Sequence, residues 1–149
     1  ADYFQFYLQD DDIGKGNLEN SWTDEATKRL LAVAPYVVGV GTVRNMDVPA
    51  KLFLSNESPK VELETYQLIN RCCLEIETGK IVVAGCTDYF PEALRIEAPS
   101  GLYEIVVGYG NLDKLSEDGL AGDDFYHVFI FPTDEFIKVE TLVDKRTKK

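Results

Sequence analysis

From Tyr36 onward the chain abandons helical spacing for a period of two. Residues 36–43, 50–54, 60–65, 71–77, 80–84, 94–98, 102–109 and 125–131 form short runs of β-branched, aromatic or alternating apolar residues, with Gly, Pro, Asn or Ser between several of them. Such residues fit a pleated, half-buried surface. Many short strands separated by turns predict a mainly β fold: an antiparallel β-sandwich or barrel with one short N-terminal helix.

The alternation assigns faces. In 60–65, Val61 and Leu63 oppose Glu62 and Glu64; in 71–77, Cys72, Leu74 and Ile76 oppose Cys73, Glu75 and Glu77. The glutamates belong to a solvent face. Thr78-Gly79 turns the second run into 80–84, which predicts a hairpin. Pro99-Ser100-Gly101 is a further turn signal. The run 125–131 is apolar on both faces and predicts a central strand. Earlier in the chain, residues 3–8 predict a first strand and 9–20 a polar loop. A helix follows, capped by Ser21 or Thr23, with Asp24 and Glu25 at the positive end of its dipole. Ala26, Leu30, Leu31 and Ala34 follow helical spacing, and Pro35 stops it. Residues 133–143 fit neither period cleanly, and a short helix there is one option.

At 149 residues a single domain is expected, here 1–144 with a basic disordered tail at 145–149. The chain holds 26 acidic and 15 basic residues, a formal charge of −11. Four of the bases lie in the last five residues, so the body carries eleven bases against 26 acids, or −15. That field repels nucleic acid and anionic membrane and attracts a cationic protein. No stretch is long and apolar enough to span a bilayer, and no secretory leader pattern is visible.

Three cysteines, Cys72, Cys73 and Cys86, include an adjacent pair whose side chains leave a strand on opposite faces. They read as free thiols rather than a disulfide framework. His127 is the one histidine, set in an apolar run where a packed role is expected. No metal centre, catalytic triad or phosphate loop can be assembled from these residues. The expectation is a protein with no catalytic residues, no metal and no cofactor: not an enzyme.

The residues left over are mostly acidic. Asp10, Asp11 and Asp12 leave the first strand as a run. They suit a partner contact, a solvated loop, or oxygen ligands for calcium, though not in EF-hand spacing. A glycine-bearing stretch holds Glu117, Asp118, Asp123 and Asp124 and suits either recognition or solubility. Trp22 is a staple at the helix entry or, if exposed, an interface anchor. Trp22, Asp24 and Glu25 complete the candidate contact surface.

Several of these residues carry a resemblance. The run Trp22-Thr23-Asp24-Glu25-Ala26, followed by an apolar strand and Arg44-Asn45, resembles the competence protein J family. So do Leu94-x-Ile96, Pro99-x-Gly101-x-Tyr103 and Asp124-Phe125-Tyr126, so that the likeness spans residues 3–131. The chain departs from the family in the long 108–124 segment and the basic extension after Pro132. The resemblance implies a small acidic bacterial protein, cytoplasmic or cell-associated, that inhibits a DNA-entry nuclease. Such an inhibitor would place carboxylates in the basic groove that otherwise tracks phosphates. An immunity protein for a bacterial toxin and a calcium-dependent sandwich-type binding module are the alternatives.

Overall fold

The computed structural model describes residues 5–11, 23–34, 36–41, 50–55, 66–85, 94–110, 125–135 and 138–145. Its elements run β1 (Gln5–Asp10), α1 (Asp24–Arg29), β2 (Leu31–Ala34), β3 (Val37–Gly41), β4 (Ala50–Leu54), β5 (Leu68–Ile76), β6 (Lys80–Gly85), β7 (Leu94–Glu97), β8 (Gly101–Gly110), β9 (Phe125–Pro132) and β10 (Glu140–Asp144). They form two five-stranded sheets, ordered β2-β3-β1-β6-β7 and β10-β5-β8-β9-β4. Among the described residues no strand is shared between the sheets, so the architecture is a sandwich and not a closed barrel.

The period-two pattern explains the core. Phe6, Leu8, Val38, Val40 and Ile81 point inward from the first sheet; Cys72, Leu74, Ile76, Ile105, Val107 and Ile130 meet them from the second. All are buried, so each strand contributes alternate residues to one apolar layer. At the centre of the second sheet, β8 pairs with β5 over nine positions and with β9 over eight. The twofold alternation also leaves room for rings on the outer face. An added Cβ on Gly108 would lie 2.6 Å from the Tyr66 ring, so a strand glycine is what lets that ring lie flat on β8.

Four local expectations change. The 71–77 and 80–84 runs are not a hairpin: β5 pairs with β8 and β10, whereas β6 pairs with β1 and β7. The Thr78-Gly79 turn instead carries the chain from one sheet to the other. The helix does not reach Pro35. It ends at Arg29, with Leu30 as a left-handed cap at φ 61, and Leu31 and Ala32 are buried in β2. Tertiary partners decide this: the Leu30 carbonyl accepts from the Gly41 amide at 2.8 Å and from the Tyr109 hydroxyl at 2.6 Å. The predicted N-cap holds, since Thr23 Oγ1 accepts from the Ala26 amide at 3.2 Å. In place of a helix over 133–143, β10 pairs at the sheet edge with β5, and Arg71 donates to Glu140 at 2.8 Å. Finally, β4 runs parallel to β9, so the second sheet is mixed rather than antiparallel. This pairing gives β9 the interior place its two apolar faces predict.

Cys72 and Cys73 are free and both buried. Cys73 lies on the outer side of β5 yet is covered, with its thiol 3.7 Å from the Glu135 carbonyl. Cys86, the expected strand at 60–65 and residues 146–149 lie outside the described residues.

Candidate functional site

Strand ends of both sheets converge at one end of the sandwich. β1, β5, β7 and β9 finish there, while β6 and β8 begin. The pairs Lys80↔Glu97, Ile76↔Gly101 and Tyr103↔Pro132 hold these ends side by side. Acidic side chains collect on them: Asp10, Asp11, Glu75, Glu77 and Glu97, with Asp134 and Glu135 just beyond β9. Lys80 and Arg95 are the basic residues of these strands near the same end.

Asp10 is the hub of this end and is fully buried. Its Oδ1 accepts from the Thr78 amide at 3.0 Å, the Thr78 hydroxyl at 2.5 Å and the Asp11 amide at 3.0 Å. Its Oδ2 accepts from the Glu77 amide at 3.2 Å. Both amides of the crossover turn are thus satisfied by one carboxylate from a strand 67 and 68 residues earlier. Hydrogen bonds to an ionised acceptor are the stronger kind. Asp10 fastens the passage between the two sheets.

Around the hub, the other charges are largely matched. Arg95 Nε lies 3.0 Å from Asp11 Oδ2, an ion pair between two partly exposed side chains. The Tyr36 hydroxyl donates to Glu77 Oε1 at 2.7 Å. That bond, and a second to Glu75, push the Tyr36 phenol well above its ordinary range, because ionising it would place a negative charge against two carboxylates. Tyr36 sits at φ 66, a left-handed conformation uncommon for a bulky side chain. Its carbonyl accepts from the Asp10 amide at 3.0 Å, which ties the β2–β3 turn to the same hub.

A cavity of about 460 Å³ opens beside these groups, between the β7–β8 turn and the end of β9. Leu54, Pro99 and Pro132 form apolar wall, and Ser100, Thr133 and Asp134 supply polar atoms. Its walls are braced: the Tyr103 hydroxyl donates to the Pro99 carbonyl at 2.6 Å, and the Thr133 amide donates to the Leu102 carbonyl at 3.0 Å.

The sequence candidates therefore separate. Asp10 and Asp11 come together at this end, but Asp10 is turned inward and cannot serve as a surface contact in this conformation. Asp24 and Glu25 are exposed on a different element, the first turn of α1. Asp12, Trp22, Glu117, Asp118, Asp123 and Asp124 lie outside the described residues. Sequence reasoning assigned Glu75 and Glu77 to a solvent face, which holds, but attached no site to them. It also passed over Asp134 and the Pro99-Ser100-Gly101 turn as part of a cavity. The two turn signals were legible; their adjacency was not.

His127 is elsewhere, on the outer face of the second sheet. It shares a hydrogen bond of 2.8 Å with the Tyr66 hydroxyl and packs against Phe53, Phe125 and Tyr66. Burial, and then the charge of Lys51, hold its pKa below the ordinary value. This is the packed role its apolar surroundings predict. Among the described residues no group of three or more His, Cys, Asp or Glu side chains is placed to hold a metal ion. No described helix is long and apolar enough to cross a membrane.

Neither a family model nor a curated protein matches the sequence. Solved structures do. ComJ from Bacillus subtilis, described as the inhibitor of the DNA degrading activity of NucA, superposes with a TM-score of 0.65 at 18% identity, over 89% of this chain and 91% of that one. The chain has the ComJ fold. A protein described as Crocagin biosynthetic gene J also superposes on this chain, with a TM-score of 0.54 at 15% identity, over 88% of this chain and 92% of the other. The sequence resemblance to the competence protein J family is thus matched by a ComJ-like fold. At these identities the likeness concerns architecture, since one fold can host several activities.

Proposed function

We propose that this protein is a binding protein that inhibits a nuclease by placing acidic surface in the enzyme's basic, phosphate-tracking groove. The observation that carries the reading is the fold shared with ComJ over nearly the whole of both chains. The formal charge of −11 supports it, because complementary fields speed encounter and reject wrong partners. The contact surface of this reading is the exposed part of the acidic end, Glu75, Glu77, Glu97, Asp134 and Glu135, together with Asp24 and Glu25 on α1. Asp12, Trp22, Glu117, Asp118, Asp123 and Asp124 remain candidates from sequence. Inhibition needs no chemistry by the inhibitor: occupancy of the groove excludes DNA.

The test is a DNA-degradation assay with a purified DNA-entry nuclease, the intact protein and a salt series. Inhibition is expected at low ionic strength and is expected to weaken as salt screens the acidic surface. Absence of inhibition at low salt across such nucleases refutes the reading. The immunity and calcium-module alternatives gain no specific support from the described residues.

A further inference from the structure

We infer that the cavity between the β7–β8 turn and the end of β9 seats one basic side chain, an arginine or lysine, presented by the protein partner. The inference rests on the nuclease-binding reading for its cationic partner; what it adds is the anchor point and the residue type that fills it.

The cavity has the two-part chemistry of such a side chain. Leu54, Pro99 and Pro132 offer apolar wall to the methylene stem. Ser100 and Thr133 offer hydroxyl acceptors, and Asp134 a carboxylate, to the charged head. Leu54 is 44% exposed, an apolar surface at the mouth that a bound stem would cover. No lysine or arginine lines the cavity among the described residues. At about 460 Å³ the space accommodates one such side chain and accompanying water.

Several carboxylates of this end are engaged within the protein, and the one on the cavity wall is Asp134. Asp10 is buried and bonded to the crossover turn, Asp11 is paired with Arg95, and Glu77 holds Tyr36. The Asp134 carboxylate, by contrast, makes no hydrogen bond or ion pair among the described residues, and Asp134 lines the cavity. Its backbone is held in place, since the amide of the next residue, Glu135, donates to Thr133 Oγ1 at 3.2 Å. The brace from Tyr103 to Pro99 fixes the opposite wall. A preformed pocket with an uncompensated carboxylate loses little order on binding a cation, and buried arginines are typical interface anchors.

The experiment titrates the isotopically labelled full chain with acetyl-Gly-Arg-Gly-amide at low salt and follows backbone amide shifts. The control is the same peptide with citrulline, which keeps the shape and removes the charge. Saturable shifts at Gly101, Leu102 and Thr133 with the arginine peptide are expected, with citrulline weaker by about tenfold. Asp134→Asn should weaken arginine-peptide binding by a similar factor, and Ser100→Trp, which fills the space, should abolish it. Shifts centred elsewhere, equal binding of citrulline, or indifference to both substitutions overturns the assignment. The same two variants then enter the nuclease assay. If the wild-type protein inhibits and both variants inhibit equally well, the cavity proposal fails and the inhibitor reading stands. If the arginine peptide binds as expected but no nuclease is inhibited, the site is upheld and the inhibitor reading fails.

Discussion

Asp10 and Asp134 are the same residue type at the same end of the sandwich, and they have opposite situations. Asp10 is buried and accepts four hydrogen bonds, three of them from the turn that joins the two sheets. Asp134 is exposed at the edge of a cavity, with its carboxylate unengaged among the described residues. A count of carboxylates therefore overstates the charge available to a partner. Some acidic residues stabilise the fold, and those left without an internal donor or cation are the freest to act outward.

The widest separation between the two aspartates is expected in stability. Asp10→Ala removes the acceptor of four part-buried hydrogen bonds and leaves the Glu77 and Thr78 amides without it, and should destabilise the protein by about 2–4 kcal/mol, whereas Asp134→Ala should stay within about 0.5 kcal/mol. Chemical denaturation of both variants checks this, and equal effects would erase the distinction. A narrower probe is Thr78→Val, which removes the hydroxyl that donates to Asp10 and accepts from the Asp11 amide but leaves the turn's amides bonded. A loss of about 1–2 kcal/mol is expected by the same measurement. Smaller again is the partly exposed Asp11–Arg95 pair. Arg95→Met should cost about 0.5–1 kcal/mol, and the difference from wild type should shrink at high salt.

The gentlest effect lies away from this end and serves as the contrast. The His127 pKa is lower in the folded protein than in the unfolded chain, so the folded state binds the proton less readily. Its contribution is complete above the unfolded pKa of about 6.5 and declines as pH falls through the window down to the folded value. His127→Asn cannot titrate and should flatten the part of the stability–pH profile just below 6.5. Denaturation midpoints of the two proteins across that range decide it; parallel profiles would show that His127 contributes nothing there.

The strands were largely legible because their signal is local. In and just after β5, Cys72, Leu74 and Ile76 are buried and Glu75 and Glu77 exposed, as the alternation reads, although Cys73 on the outer side is covered as well. The helix α1 was legible at its start, where Thr23 caps its first turn. Its end was not. Leu30, Leu31 and Ala34 have helical spacing, but Leu31 is claimed by the core and Leu30 by donors from Gly41 and Tyr109. The Thr78-Gly79 turn was equally visible, yet a turn signal states that the chain reverses and not which sheet it joins next. The candidate site shows the same division. The Asp10-Asp11 run and the Pro99-Ser100-Gly101 turn stand out in sequence, but the donors that bury Asp10 are nearly seventy residues away.

Alternation and turn chemistry alone thus determined a mainly β chain with one short helix, and composition alone determined its strongly negative charge. Those properties depend on neighbouring residues or on simple counts. Which strands pair, where the chain crosses between layers, and which carboxylates face inward were decided only in three dimensions. Burial and hydrogen bonding join residues far apart in the chain, and a carboxylate's role depends on the donors that surround it.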